Sequence, residues 1–356
     1  KASQSTHCHE PSNGSHRRLC YQKRESTMST AIVLINLGTP DSPTPPAIKQ
    51  YLAEFLSDQR VVNLPRAAWK PILHGIILKT RPKRLQHDYK NIWGTHDGPI
   101  RNITNALTAK VEAYFSKRYP ERNLRFYTAM TYGNPSVKSI IEAAERDGCD
   151  DFLFIPLYPQ YAGATTGAVF DQISRAFQST PVASHRFIRD YHDHPRYIHA
   201  LAKTLERYNP AISNGAHVLF SFHGIPMSQV NQGDLYPAQC EKTAASVAHA
   251  VGLSKDQWSM SYQSKFGPGA WLTPATIDQM AGFPARGISD LIVMCPGFSV
   301  DCLETIEEIK VENKDAFLAA GGQRFRYVRA LNASKFHVDL MVALIESSLY
   351  SHELRS

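Results

Sequence analysis

Ser289–Glu312, SDLIVMCPGFSVDCLETIEEIKVE, concentrates the side chains best suited to chemistry. Leu291 to Cys295 reads as a buried strand and Pro296-Gly297 as a tight turn, so a helix is expected to open near Ser299 or Asp301. That helix carries Glu304, Glu308 and Glu312 at four-residue spacing, which stacks the carboxylates on one helical face. Like charges so placed repel, at a cost in helix stability unless the ladder is solvated or handles a cation or protons. A solvated acidic face is the plain reading. Position favours the other: Glu304 lies in the first turn after a strand, at the carboxyl end where open α/β sheets place their ligands. The second fixed point is His223, which follows the apolar run His217–Phe222 and precedes Gly224 and Pro226. A histidine there can simply satisfy a strand end. On the same sheet edge as Glu304, however, the two can face each other across a cleft. Imidazole with carboxylate suits a divalent first-row metal or an acid–base pair.

The elements that must position these residues alternate along the chain. Strands are expected at Ala31–Leu37, Leu124–Met130, Phe152–Tyr158, Val182–Phe187, His217–Phe222, Trp258–Gln263 and Phe325–Arg329, besides the one before Pro296. Several are continuous apolar runs, as for parallel strands covered on both faces. Helical patterns separate them, among them Pro82–Trp93, Ile103–Arg118, Pro135–Arg146, Thr273–Ala281 and Phe336–Leu349. Strand–helix alternation implies parallel sheets with right-handed crossovers. Two similar half-chains imply an α/β fold of two doubly wound domains, with a boundary between Phe177 and Arg189. Gly163–Gly167, GATTG, could cradle a phosphate, but no Lys follows it and Gly38-Thr39-Pro40 lacks the dinucleotide fingerprint. No GxSxG elbow occurs. Dehydrogenase and serine-hydrolase readings are therefore disfavoured.

With 43% hydrophobic and 20% charged residues the composition is that of a soluble globular protein, and no apolar run is long enough to span a bilayer. The net charge of +7 is dispersed, with no continuous basic stripe, so no nucleic-acid partner is expected. An acidic small molecule or an anionic membrane surface fits that charge at least as well. Six cysteines without a CxxC pair indicate a reduced, intracellular protein without a disulfide framework. Residues 1–27 are polar and patternless and are expected to be a disordered or non-native extension, with Met28 the natural start; a transit peptide is the alternative. The stretch Leu64–Trp93 mixes Trp69, Ile72 and Ile76 with Arg66, Lys70, Lys79, Arg81 and Lys83. It can be core with a solvated rim, or a lip that touches a membrane and receives a flat apolar ligand bearing carboxylates.

VLINLGTP, YPQY followed by ATTG, SFHGIP, GDLYPAQC, YQSKFGPGAWL and CPGFSVDCLETIEE, in this order, resemble the ferrochelatase family over essentially the whole chain after Met28, most closely in its Gram-negative bacterial form. The resemblance implies two Rossmann-like domains (the chelatase fold) around a porphyrin cleft, and insertion of Fe²⁺ into protoporphyrin IX as the last step of haem biosynthesis. The domains would span 30–177, completed by the C-terminal helix 334–350, and 178–333, which carries the metal and proton site. By the same resemblance His223 and Glu304 are the catalytic and metal-binding pair, and Glu308 and Glu312 the acidic path. Tyr89, Tyr132 and Tyr161 would lie near the macrocycle, and Arg81 and Lys83 near its propionates. Some members hold a [2Fe–2S] cluster through C-terminal cysteines and one in the middle loop. Here the chain ends LYSHELRS and Gly163 takes the middle position, so no cofactor is expected and iron enters only as substrate. Cys302 stands where several relatives have histidine. The expected enzyme is a cytoplasmic monomer, with peripheral contact at the inner membrane left open. Two alternatives remain: a chelatase for coproporphyrin or another tetrapyrrole, and a non-catalytic porphyrin or metal carrier.

Overall fold

A computed structural model describes residues 29–353, except 96, 181, 182 and 268. The expected N-terminal extension and residue 182, the first of the strand placed at 182–187, lie outside the described residues. Eight strands form two four-stranded sheets in which every pairing is parallel. The first, in order β2-β1-β3-β4, contains β1 (Ser29–Asn36), β2 (Leu124–Met130), β3 (Cys149–Pro156) and β4 (Ser184–Phe187). The second repeats that order as β6-β5-β7-β8, from β5 (His217–His223), β6 (Trp258–Gln263), β7 (Asp290–Met294) and β8 (Arg324–Val328). The most apolar runs, β1, β3, β5 and β7, take the interior places, because a strand paired on both sides and covered on both faces offers no polar side chain a route to water. Both sheets are doubly wound α/β units, as the alternation predicts.

Strand order reverses between β5 and β7, and the carboxyl ends of neighbouring strands diverge there to open a crevice. His223 ends β5 and Pro296-Gly297 follows β7, so the two stretches singled out above flank the switch point of the second sheet. Gly38, just after β1, closes the corresponding edge of the first sheet. Its φ is +112°, and a Cβ there would stand 1.8 Å from the carbonyl oxygen of Tyr132, so only glycine fits.

One apolar core joins the halves. Leu34, Leu107 and Phe115 of the first meet Phe220, Phe222 and Ile292 of the second, together with Leu340, Leu344 and Ile345 of the helix Lys335–Glu353. That helix is also tied to the first half by hydrogen bonds: the Tyr119 hydroxyl donates to Glu346 (2.8 Å) and the Arg186 guanidinium to the Ser348 carbonyl (3.2 Å). Element ends differ from expectation where local partners intervene. The helix expected from Pro135 begins at Val137, because the Ser136 hydroxyl accepts the Ser139 N–H and acts as N-cap.

His337, near the start of the last helix, is fully buried, with Nδ1 2.5 Å from the Asn332 carbonyl and Nε2 without a partner. Burial drops its pKa from 6.5 to about 4. Between those values the unfolded chain binds a proton that the fold rejects, so stability is lost as pH falls through that window. His337→Gln, which retains a donor for Asn332, is expected to flatten the decline in melting temperature between pH 6.5 and pH 4; an unchanged slope would assign acid sensitivity to other groups.

Candidate active site

The turn after β7 is held from several directions. Ser299 donates to the Leu157 carbonyl (2.8 Å), the Tyr197 hydroxyl donates to the Pro296 carbonyl, and the Asn332 N–H donates to the Ser299 carbonyl (3.0 Å). Asp301 is buried and accepts from the Tyr327 hydroxyl (2.6 Å), Asn332 Nδ2 (2.8 Å), the Ala330 N–H (3.1 Å) and Arg329 (3.3 Å). With its carboxylate spent on the segment after β8, Asp301 does not cap a helix. The helix expected from Ser299 or Asp301 therefore starts later, where Thr305 Oγ1 takes the Cys302 N–H (2.9 Å). It is also a different helix. Glu304–Asn313 is a ten-residue π-helix, with i→i+5 hydrogen bonding in place of the α-helical ladder.

Glu304 opens that helix and borders a small cavity, about 10 Å³, that also touches Leu37, Gly38, Tyr51, Tyr89 and Ile100. It thus reaches from the second sheet to the carboxyl edge of the first. Burial raises the phenol pKa of both Tyr51 and Tyr89, which keeps them protonated and excludes them as bases. Glu308, one π turn on, is clamped by Ser264: the Ser264 N–H donates to Oε1 (2.6 Å) and its hydroxyl to Oε2. Burial pushes the Glu308 carboxyl above its ordinary value, against the lowering pull of Ser264 and His223, while Glu304 raises it further. Glu304, Glu308 and His223 therefore form one electrostatic group. Glu312 is exposed beyond them, its pKa raised by partial burial, Asp88 and Glu307 and lowered by Arg84. Exposure rises along the ladder, from half-buried Glu304 and Glu308 to exposed Glu312.

His223 Nδ1 lies 2.6 Å from the Gly224 carbonyl, and its ring packs 6.3 Å from that of Phe298. A carbonyl only accepts, so Nδ1 carries the proton and Nε2 keeps a free lone pair for a proton or a metal. Among the described residues no three His, Cys, Asp or Glu side chains converge on a point that could hold an ion. Buried Cys302, beside Glu304, keeps its thiol protonated through burial and the Glu304 charge.

The remaining expected residues divide. Arg81 lies in the cleft: its guanidinium stacks 4.3 Å above Phe266, its Nε is buried without a partner, and burial lowers its pKa against the opposing pull of Tyr89 and Glu304. Lys83 is exposed, because residues two apart on a helix do not face the same way. Tyr89 borders the Glu304 cavity; Tyr132 is buried behind it, donating to Asp58 (3.0 Å) with its ring against Phe55. Half-buried Tyr161 is held by its N–H on Gln239 (2.6 Å). Sequence reasoning missed Gln263, Ser264 and Phe266. The signal was available: Gln263 pairs in register with His223 and ends β6 on the same sheet edge.

A family model described as Ferrochelatase matches residues 29–349. Among similar proteins, the ferrochelatase of Aeromonas hydrophila is 45% identical over 90% of this chain and 98% of its own, and that of Methylococcus capsulatus 42% identical over 90% and 97%. Among solved structures, SirB from Bacillus subtilis with Fe³⁺ superposes with a TM-score of 0.54 at 11% identity, covering 92% of this chain and 98% of that one. At that identity the likeness concerns the fold alone.

Glu308 yields a testable sign. Its folded pKa lies above the ordinary 4.5, so the fold loses stability as pH rises from 4.5 through the shifted value. Glu308→Gln should melt close to the wild type at pH 4 and above it at pH 8, the gap opening between; a constant gap would remove the carboxylate's titration as the cause.

Proposed function

The chain belongs to the ferrochelatase family, and we propose that His223 and Glu304 carry the reaction of that family in this protein. The enzyme is a lyase, a metal chelatase that inserts Fe²⁺ into protoporphyrin IX in haem biosynthesis. Its substrates are a porphyrin and a metal ion. Insertion requires that two pyrrole N–H protons leave, that Fe²⁺ shed water, and that the ring bend to present its lone pairs. His223 Nε2 is the acceptor for the ring protons, since its other nitrogen is committed to Gly224. Glu304 receives iron or relays a proton from the opposite wall, and Glu308 and Glu312 lead outward to solvent. The observation that carries this assignment is that Gln263, in register with His223 at the end of β5, donates to the Glu304 carbonyl (3.0 Å), which brings groups from two strand ends to one site. An incomplete ligand set suits a metal that must be passed on, because a closed cage would retain it. In this reading Arg81 contacts a propionate, Tyr89 and Tyr132 back the macrocycle, and Lys83 stays outside.

The lip supports peripheral membrane contact. Leu64, Ile72 and Ile76 are 48%, 42% and 61% exposed, beside exposed Arg66, Lys70 and Lys79, a pairing that suits an anionic bilayer surface. No helix among the described residues is long and apolar enough to cross a membrane. We place the enzyme in the cytoplasm with this lip against the inner membrane, acting as a monomer, since residues of one chain build both walls of the cleft. We also assign it no resident [2Fe–2S] cluster; Gly163, whose N–H donates to Asp234 (2.7 Å), brings no thiol to the middle loop.

Anaerobic metallation of protoporphyrin IX by Fe²⁺, followed by the Soret band, tests the assignment. Wild type should convert the band, and His223→Ala should retain porphyrin binding while kcat falls roughly a hundredfold or more. Metallation of coproporphyrin but not protoporphyrin would change the substrate, and porphyrin binding without metallation would sink the enzymatic reading. For the lip, Ile72→Lys with Ile76→Lys should abolish cosedimentation with phosphatidylglycerol vesicles and leave kcat on detergent-dispersed porphyrin unchanged. Undiminished cosedimentation would place the membrane contact elsewhere.

A further inference from the structure

π-helices occur mostly as single turns inside α-helices, so the ten residues Glu304–Asn313 require something to hold the wide register. Two buried side-chain amides meet the backbone of the two acidic residues nearest the cleft. Gln263, at the end of β6, donates from Nε2 to the Glu304 carbonyl (3.0 Å) and more weakly to the Glu308 carboxylate (3.5 Å). Its orientation is not free: Oε1 accepts from the Ser221 hydroxyl (2.8 Å) and the Cys295 thiol (3.4 Å), and a carbonyl on the helix side demands a donor. Asn313, at the other end, donates from Nδ2 to the Glu308 carbonyl (2.7 Å) while its Oδ1 is buried without a partner. Gln263 and Asn313 are both 2% exposed. A buried amide with an unsatisfied oxygen is costly, which makes the one bond it forms informative.

We propose that Gln263 and Asn313 are positioning residues that lock Glu304–Asn313 in the π register and so set where Glu308 and Glu312 stand relative to Glu304. Without the two amides the segment relaxes toward i→i+4 bonding, each residue after the first turn rotates by up to one position, and Glu308 leaves Ser264. Because Gln263 also bonds Ser221 on β5 and Cys295 after β7, it transmits the spacing of the strand ends to the helix. The two amides touch neither porphyrin nor iron; they act through the carboxylates. The catalytic half of this inference rests on the ferrochelatase reading.

Gln263→Glu and Asn313→Asp preserve shape but exchange each NH₂ donor for a carboxyl oxygen, so Gln263→Met and Asn313→Leu, which remove the donor without adding a charge, must give the same outcome. Hydrogen exchange in residues 304–313 should rise about tenfold or more in either variant, with exchange in the strands unchanged. In steady-state metallation the KM for Fe²⁺ should rise about tenfold while that for porphyrin stays within about twofold, a split that loss of packing alone would not produce. Unchanged exchange would overturn the lock whatever activity does. Raised exchange with an unmoved KM for Fe²⁺, or with both KM values rising together, would overturn the positioning role. If Gln263→Glu fails to fold, Asn313→Asp, which lies outside the sheet, decides. Should the wild type not metallate at all, the functional reading fails and the exchange data still judge the lock.

Discussion

Taking a carboxylate out of water is tolerable only where donors replace the water, and Asp301 is where this molecule meets that condition most completely. Its partners come from β8 and the loop that leads to the last helix, while its own backbone belongs to the turn after β7. The turn, the edge strand and the loop that leads to the final helix are thereby bound through one side chain. Arg329, whose side chain is 72% exposed, contributes little, since water competes for it. The three half-buried donors, Tyr327, Ala330 and Asn332, hold the segment from which Glu304 follows. If that anchor moved, the wall facing the first sheet would move with it.

The site itself is built from groups held in uncomfortable states. Burial raises the Glu308 carboxyl above its ordinary pKa, and Cys302 is kept as a neutral thiol beside Glu304. A soft, strongly binding ligand is thus withheld, and hard or borderline ligands are left unconverged. Such an arrangement favours passage over storage. The apolar groups around Glu304 supply the low polarity in which a proton transfer between two protein groups and a ring nitrogen is governed by position more than by solvent.

What could be read in advance follows from which forces are local. Continuous apolar runs marked β1, β3, β5 and β7, and the rule that doubly wound sheets use their carboxyl edges placed His223 and Glu304 together. The helix type was not legible, because a 3.6-residue period is assumed in reading helices, and two of the partners this helix meets, Gln263 and Ser264, lie about forty residues away in sequence. Arg81 and Lys83 looked equivalent as charges; only helix rotation separates them. Tyr132 was read as a cleft aromatic, and its actual setting, with its hydroxyl on Asp58, depends on how the lip packs against β2. Gln263 had a signal that went unused: applied to β6, the carboxyl-edge argument points to the polar pair Gln263-Ser264.

The helix Lys335–Glu353 bears on how the chain is made. Its Leu340, Leu344 and Ile345 cover Leu107, Val111 and Phe115, which are translated more than two hundred residues earlier. While the ribosome is still at work, that early helix has an apolar flank with nothing to rest on, and the first sheet stays incompletely covered. Completion of the N-terminal half is therefore coupled to arrival of the C-terminal end. A prematurely terminated product would display the bare flank and be a ready target for chaperones and proteases.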